Sequence, residues 1–295
     1  MELQSTYHEP VMLQECLEGL NIQPDGLYVD VTFGGGGHSR AILEKLTTGR
    51  LLVFDQDPDA KANAEAFKGD ERFTFIDANF RHLKRYLKLN KAPFVNGILG
   101  DLGISSHQIN TPERGFSTRF DADLDMRMDQ VADLDARKVL NTYPEEDLHR
   151  IFGMYGEIQN AKSLAKTIVT SRLTTPIQTV AELKQVIQKL VPKGKEHKYH
   201  AQVFQALRIE VNKELEALQE FLEQTSLVLK PEGRLVVMSY HSLEDRLVKN
   251  FIAKGKFKGE VEKDFFGNEI KPFKVISRKA ITASEDELKQ NNRAR

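Results

Sequence analysis

One cysteine, no tryptophan and a net charge of −1 remove several functional classes at the outset. Cys16 alone forms no intrachain disulfide and no cysteine-based metal or iron–sulfur site. It falls on the apolar face of a short helical pattern (Val11/Met12, Cys16/Leu17, Leu20), which reads as core rather than nucleophile. No apolar run reaches the ~18 residues a membrane helix needs. The N-terminal residues, which include His8-Glu9, carry no signal-peptide-like hydrophobic region. A cytoplasmic protein with no membrane partner and no metal is expected. The 295 residues, 40% hydrophobic and 29% charged, suffice for one large domain or two smaller ones.

The most informative stretch is Tyr28-Val29-Asp30-Val31-Thr32-Phe33 followed by Gly34-Gly35-Gly36-Gly37-His38-Ser39. An apolar, β-prone run stops at four glycines and a helical pattern follows. Glycine suits a turn that needs positive φ and lets a ligand approach bare backbone. The helix N-terminus behind it offers N–H groups and partial positive charge. The next strand pattern, Arg50 to Asp55, ends in an acid where such folds bind a ribose, roughly 20 residues beyond the glycines. No Gly-Lys-Ser/Thr follows, so a phosphate loop is excluded. Ser39 stands where a dinucleotide fingerprint wants glycine or alanine, whereas Asp-x-x-x-Gly-x-Gly fits from Asp30 through Gly36. An acid opening the loop suits a cationic ligand and would repel a pyrophosphate.

Strand patterns over 27–31, 51–55, 73–77 and 94–99 alternate with helical ones over 39–46, 58–67 and 80–89. Repeated βα units predict a parallel sheet covered on both faces, with ligands at the carboxyl ends of its strands. Those ends carry Gly34 to His38, Asp55-Gln56-Asp57, Ala78-Asn79-Phe80 and Asp101-Leu102-Gly103. After Asp101 the rhythm breaks into a long polar loop over 109–128, in which Arg114, Phe116, Arg119 and Phe120 are candidates to grip and stack a nucleotide. Helical patterns follow over 145–154, 159–172 and 183–190, the last behind the capping box Thr179-Val180-Ala181-Glu182. A long helix is expected over about 201–229, then a strand over 234–239, a helix over 243–251 and a late strand over 271–276. The reading is an α/β chain of 1–108 and 201–295 with an all-helical insert at 109–200. Charge is uneven: 121–147 holds nine acids and three bases, 184–213 seven bases and two acids, and 246–279 ten bases and four acids. Such asymmetry permits a nucleic-acid face, for which Lys254, Lys256 and Lys258 are candidates.

Further stretches are Asp101-Leu102-Gly103-Ile104-Ser105-Ser106-His107-Gln108, Arg114-Gly115-Phe116-Ser117 and Leu124-Asp125-Met126-Arg127-Met128-Asp129. Phe204-Gln205-Ala206-Leu207-Arg208-Ile209 and His241-Ser242-Leu243-Glu244-Asp245-Arg246 complete the series. Together with the glycine loop, Asp55-x-Asp57 and Asn79-Phe80, the chain resembles the bacterial 16S ribosomal RNA cytosine-N4 methyltransferases, the MraW-type family. The resemblance implies a Rossmann-like S-adenosylmethionine (SAM) methyltransferase domain with a helical substrate-recognition insert. It implies SAM contacts from Gly36, Gly37, His38, Asp55, Phe80, Asp101 and Gln108, with Asp55 on the ribose hydroxyls and Phe80 on the adenine. The implied partner is 16S rRNA within the small ribosomal subunit, and a homodimer stays open. Departures occur: His107 stands where the family usually has proline, Gly100 where it has a larger apolar residue, and Ile158 where it has glutamate. Lys198-Tyr199-His200-Ala201 replaces a His-Pro-Ala-like run. The sequence stops inside an Asn-x-Arg-Ala-Arg-Ser motif.

Base chemistry narrows the reaction. Methylation at C5 of cytosine requires a thiolate, and Cys16 lies outside the strand-end crevice. Exocyclic N-methylation needs acceptors at the amine, a stacked base and in-line approach; Asp101, the candidate catalytic residue, and the carbonyls of Leu102 to Ser105 are placed to accept, with proton loss to Asp101 or to solvent, and the base would have to leave its stack. An NAD-dependent oxidoreductase and a non-catalytic RNA-binding assembly protein are the alternatives.

Overall fold

The computed structural model describes residues 10–277, 279–291 and 294. His8, Glu9, Arg278 and the terminal Asn292, Arg293 and Arg295 lie outside the described residues. The chain forms two compact units, Met1–Gly103 with Glu216–Arg295, and Ile104–Leu215.

The first unit opens with α1 (Leu13–Leu20), β1 (Leu27–Asp30), α2 (Gly37–Lys45), β2 (Arg50–Asp55), α3 (Pro58–Ala64), β3 (Phe73–Asp77), α4 (Leu83–Leu89) and β4 (Val95–Asp101). Its strands are apolar on both faces because both are covered: Leu51, Leu52, Val53 and Phe54 are all fully buried. Val29, Leu52 and Phe54 face one core with Leu83 and Leu87 of α4, while Tyr28, Leu51 and Val53 face another with Cys16, Leu20 and Ile42. Truncating a ring as buried as Phe54 to alanine would destabilise by ~3–5 kcal/mol.

The second unit contains α5 (Ser106–Asn110), α6 (Ala136–Thr142), α7 (Glu145–Met154), α8 (Ala161–Arg172), α9 (Val180–Ile187) and α10 (Glu196–Asn212). They enclose one apolar core that includes Leu148, Phe152, Leu164, Leu183 and Leu207. The polar loop ahead of α6 is held by backbone bonds from Leu124 N to Gln178 O, from Val180 N to Ala122 O and from Met126 N to Arg114 O. Gly115 is required there, since its φ is +70° and a Cβ would stand 2.3 Å from the Asp123 carbonyl oxygen. The acids of this region are largely answered within it: Arg127 pairs with Asp125 at 2.7 Å, and Arg137 with Asp135 at 2.7 Å and Asp123 at 3.0 Å.

The chain then completes the first unit with α11 (Glu214–Val228), β5 (Leu229–Met238), α12 (Ser242–Lys254), a short hairpin of β6 (Glu262–Lys263) and β7 (Glu269–Ile270), and α13 (Glu285–Gln290). The sheet order is β3-β2-β1-β4-β5, and every pairing is parallel. Order reverses between β1 and β4, the point where such sheets open a crevice. This is the Rossmann-like α/β architecture expected.

Three expectations are corrected. The helix expected over 201–229 is two helices, because Lys213 adopts a left-handed conformation (φ 50°) between α10 and α11. Asn212 stabilises the break, donating to Met126 O at 2.8 Å and accepting from Met128 N at 2.8 Å. α10 packs on α6 and α7, so the unit boundaries fall at 103/104 and 215/216 rather than 108/109 and 200/201. The late strand expected over 271–276 is absent, and the pairing lies earlier, in β6 and β7. Pro272 lacks the N–H a ladder needs.

Candidate active site

Each of the first four strands ends in an aspartate: Asp30, Asp55, Asp77 and Asp101. Three of them organise the rim. Asp30 is buried and accepts from Ser39 Oγ at 2.6 Å and Thr32 N at 3.1 Å, so it braces the glycine turn from inside. Thr32 Oγ1 accepts from Asp101 N at 2.7 Å, tying the ends of β1 and β4 together. Asp55 accepts from Gly34 N at 2.8 Å and Asp57 N at 2.9 Å, joining the loop to the end of β2. Burial pushes the Asp55 carboxyl up to about 6; the two N–H donors oppose this, and the charges of Asp57 and Asp30 add to it.

Gly36 has φ +77°, and a Cβ on it would stand 2.9 Å from the rings of Phe33 and Phe67. Its bareness therefore serves the aromatic packing beneath the turn as well as the turn itself. A Cβ on Gly37 would meet Pro10 at 2.5 Å. The first α-type bond of α2 runs from Arg40 N to Gly36 O, so the N–H groups ahead of it have no intrahelical partner. On β3's side, Asn79 donates to Gln56 Oε1 at 2.9 Å, and Phe80 meets Phe221 edge-on at 5.4 Å.

Asp101 is the chemical centre of the rim. Tyr240, just past β5, donates its hydroxyl to Asp101 Oδ1 at 2.7 Å. His38 Nδ1 stands 4.0 Å from Asp101 Oδ2, while its Nε2 lies 3.0 Å from Val11 O. A carbonyl only accepts, so Nε2 carries a hydrogen, and Nδ1 is the nitrogen turned to the carboxyl. Burial raises Asp101 to about 6, opposed by His38 and the Tyr240 hydroxyl and reinforced by Asp30 and Glu244. Burial, followed by the Asp101 charge, raises the Tyr240 phenol, so it stays a donor. Burial also pushes the Cys16 thiol up to about 12, which removes it as a nucleophile at neutral pH.

The fold thus brings Gly36, Gly37, His38, Asp55, Phe80 and Asp101 to one rim of the first unit. Gln108 belongs to the second unit, where its Oε1 accepts from Ser105 N at 2.9 Å and closes a capping box on α5. Arg114 and Phe116 are buried in that unit. Arg114 donates to Arg127 O at 2.9 Å and lies 5.8 Å from the Phe116 ring centre, so the two anchor the loop and Phe116 offers no open face. Arg119 is exposed, bonded to Asn110 Oδ1 at 3.0 Å and set 5.3 Å from the ring of exposed Phe120. Lys254 donates to Gly259 O at 3.1 Å, Lys256 pairs with Glu262 at 3.3 Å, and Lys258 is exposed. These lysines lie at and just beyond the C-terminal end of α12, about 20 Å of helix from its start beside β5. Tyr240 is the rim residue that sequence reasoning passed over, although Tyr240-His241-Ser242 directly follows a strand end.

A family model described as the MraW methylase family matches residues 5–295. The chain belongs to that family. A relative of the MraW family chain from Cytophaga hutchinsonii, described as ribosomal RNA small subunit methyltransferase H, is 60% identical over 289 residues, 98% of this chain and 96% of its own length. One from Flavobacterium johnsoniae with the same description is 57% identical over 290 residues, 98% of this chain and 95% of its own. Among the described residues, no helix of this MraW family member is long and apolar enough to cross a membrane.

Proposed function

We propose that this chain transfers the methyl group of SAM to the exocyclic N4 of a cytidine in 16S rRNA of the small ribosomal subunit. The carrying observation is the buried Asp101, held between the Tyr240 hydroxyl at 2.7 Å and His38 at 4.0 Å on the rim of a Rossmann-like sheet. The relatives' description supports the substrate.

The residues fit SAM by their chemistry. Carboxylates at three neighbouring strand ends favour a cation, and the first N–H groups of α2, which have no intrahelical partner, can meet its polar edges. Asp55 would hold the ribose hydroxyls with the lone pairs its two N–H donors leave free, and Phe80 would pack on the adenine. Gly36, Gly37 and His38 would line the same group. When bound, SAM supplies an electrophilic methyl group on a sulfonium.

The chain's own residues do the rest. Tyr240 occupies Asp101 Oδ1 and so leaves Oδ2 as the oxygen that accepts from the N4 amine. This hydrogen bond orients the amine lone pair, and the carboxylate takes the proton that N4 loses when it forms its new bond. Tyr240 is 44% exposed while its hydroxyl is engaged, so its ring would offer a face for the extruded base. Arg119, with Lys254, Lys256 and Lys258, would contact RNA phosphates. Arg114 and Phe116 would shape the insert that presents Arg119.

The test is tritiated methyl transfer from SAM to unmodified small-subunit particles, with mass mapping of the product. Label on N4 of a 16S cytidine is expected. Label on a ring carbon, or binding of NAD without SAM, would overturn the reading.

A further inference from the structure

The α4 face carries a charge pattern that the strand-end site does not use. Residues 79–100 contain Arg81, His82, Lys84, Arg85, Lys88 and Lys91 and no acid. Leu83 and Leu87, one helical repeat apart, are fully buried against the sheet. The same helix therefore turns Lys84, Arg85 and Lys88 outward, and all three are exposed. Arg81 and Arg85 form one i, i+4 stripe and Lys84 and Lys88 another.

These side chains border a groove of about 560 Å³ whose opposite wall is α11, through Glu220, Glu223, Gln224 and Leu227, so the cations of α4 outnumber the acids facing them. The wall is stapled in place. Arg81 grips Glu220 with two bonds, at 2.8 and 2.6 Å. Gln224 accepts from Lys84 N at 2.9 Å and donates to Arg81 O at 2.7 Å. The Arg81 charge is thereby answered, but Lys84, Arg85 and Lys88 have no ion pair among the described residues. Three cations on a rigid, open groove make a surface for a polyanion.

Chain order fixes where the groove starts. Asp77 ends β3, Phe80–His82 makes a tight turn on the rim, and α4 begins at Leu83 and runs away from the rim. Asp101 closes β4, three places from β3 in the same sheet, so the groove's mouth and Asp101 share one rim about 14 Å apart.

We propose that the α4–α11 groove binds the phosphate backbone of the RNA flanking the target nucleotide, with Lys84, Arg85 and Lys88 as the contacting cations. This inference rests on the RNA substrate proposed above. It assigns a docking tract distinct from Lys254, Lys256 and Lys258 at the end of α12.

The test is charge reversal, K84E/R85E/K88E, with K84Q/R85Q/K88Q as the milder companion. SAM affinity measured by calorimetry checks that each variant is folded. Unmodified small-subunit particles and a labelled single-stranded RNA oligonucleotide of matching sequence are the probes. The proposal expects the Kd for both to rise about tenfold or more at moderate salt and the log–log salt slope to become shallower by about two to three units, with SAM affinity unchanged. Wild-type methyl transfer with unchanged KM and salt slope in the variants would overturn the groove assignment and leave the RNA reading intact. Weaker particle binding with unchanged oligonucleotide binding would overturn it too, because the partner would then be a ribosomal protein. A wild-type protein that transfers no methyl to RNA would sink the proposed function itself and remove the occupant named here.

Discussion

Replacing Asp101 with asparagine separates what this carboxyl does for folding from what it does for chemistry. In the native protein burial lifts its pKa from 3.8 to about 6. Between those values the folded state holds a proton that the unfolded chain has released, so stability falls as pH rises through the window. Each unit corresponds to ~1.4 kcal/mol, which gives about 3 kcal/mol of destabilisation above pH ~6. The side chain is 25% exposed, and solvent reduces the figure to about 2 kcal/mol. Asparagine keeps the shape. Its Oδ1 can accept from Tyr240, and its amide nitrogen takes the place of Oδ2 beside His38 Nδ1. Asp101→Asn should therefore be more stable than wild type by about 2 kcal/mol at pH ~8 and nearly equal to it at pH ~4. Methyl transfer should fall by about 10²-fold or more, because an amide takes no proton. Urea denaturation across this pH range, run beside the tritiated-methyl assay, measures both. A stability difference that does not change with pH, or near-wild-type turnover, would refute the argument.

Asp55→Ala should weaken SAM binding by ~1–3 kcal/mol, the scale of a lost charged hydrogen-bond partner; unchanged calorimetric affinity in a folded variant would count against the ribose role. The rate of transfer should rise with pH through about 6 as Asp101 ionises; a flat profile across that range would count against Asp101 as the proton acceptor. Tyr240→Phe removes a bond that draws the Asp101 pKa down, so this rising limb should move to higher pH while SAM affinity holds; an unmoved profile would assign Tyr240 to packing alone. Reversing the charges of Lys254, Lys256 and Lys258 should raise KM for small-subunit particles and flatten the salt dependence, most strongly through Lys258, which is exposed and has no ion pair among the described residues. A wild-type KM across a salt series would remove this segment from RNA binding.

The parallel sheet was legible because its first four strands are short apolar runs closed by acids and the first turn is marked by glycine. Asp55 and Asp101 could be read for the same reason: strand ends in such sheets converge whatever the rest of the chain does. What escaped depends on contacts between distant residues. The periodicity of 201–229 runs unbroken through Lys213, with no glycine or proline to mark the turn; the break is held by Asn212 bonding to a loop more than eighty residues earlier. Arg114 and Phe116 look like RNA-gripping residues in isolation, and only the packing of the loop shows them inside. Tyr240 gave no pattern signal, since an aromatic after a strand is ordinary until its hydroxyl is seen on Asp101. The bases of α4 escaped because a helix with lysines on its outer face looks like any solvated helix until the groove beside it is seen.

The insertion point has a consequence for biosynthesis. β4 gains its outer neighbour only when β5 pairs with it, Asp101 opposite Met238, after the whole of Ile104–Leu215 has emerged. At typical elongation rates the open edge waits on the order of 10 s for its partner. During that interval an apolar strand with unpaired backbone groups is available to any other chain, so nascent or truncated forms ending before β5 should aggregate through β4. Closure of this sheet is a long-range event that local helix formation in the insert cannot hasten, and it is the natural candidate for the slow step of folding.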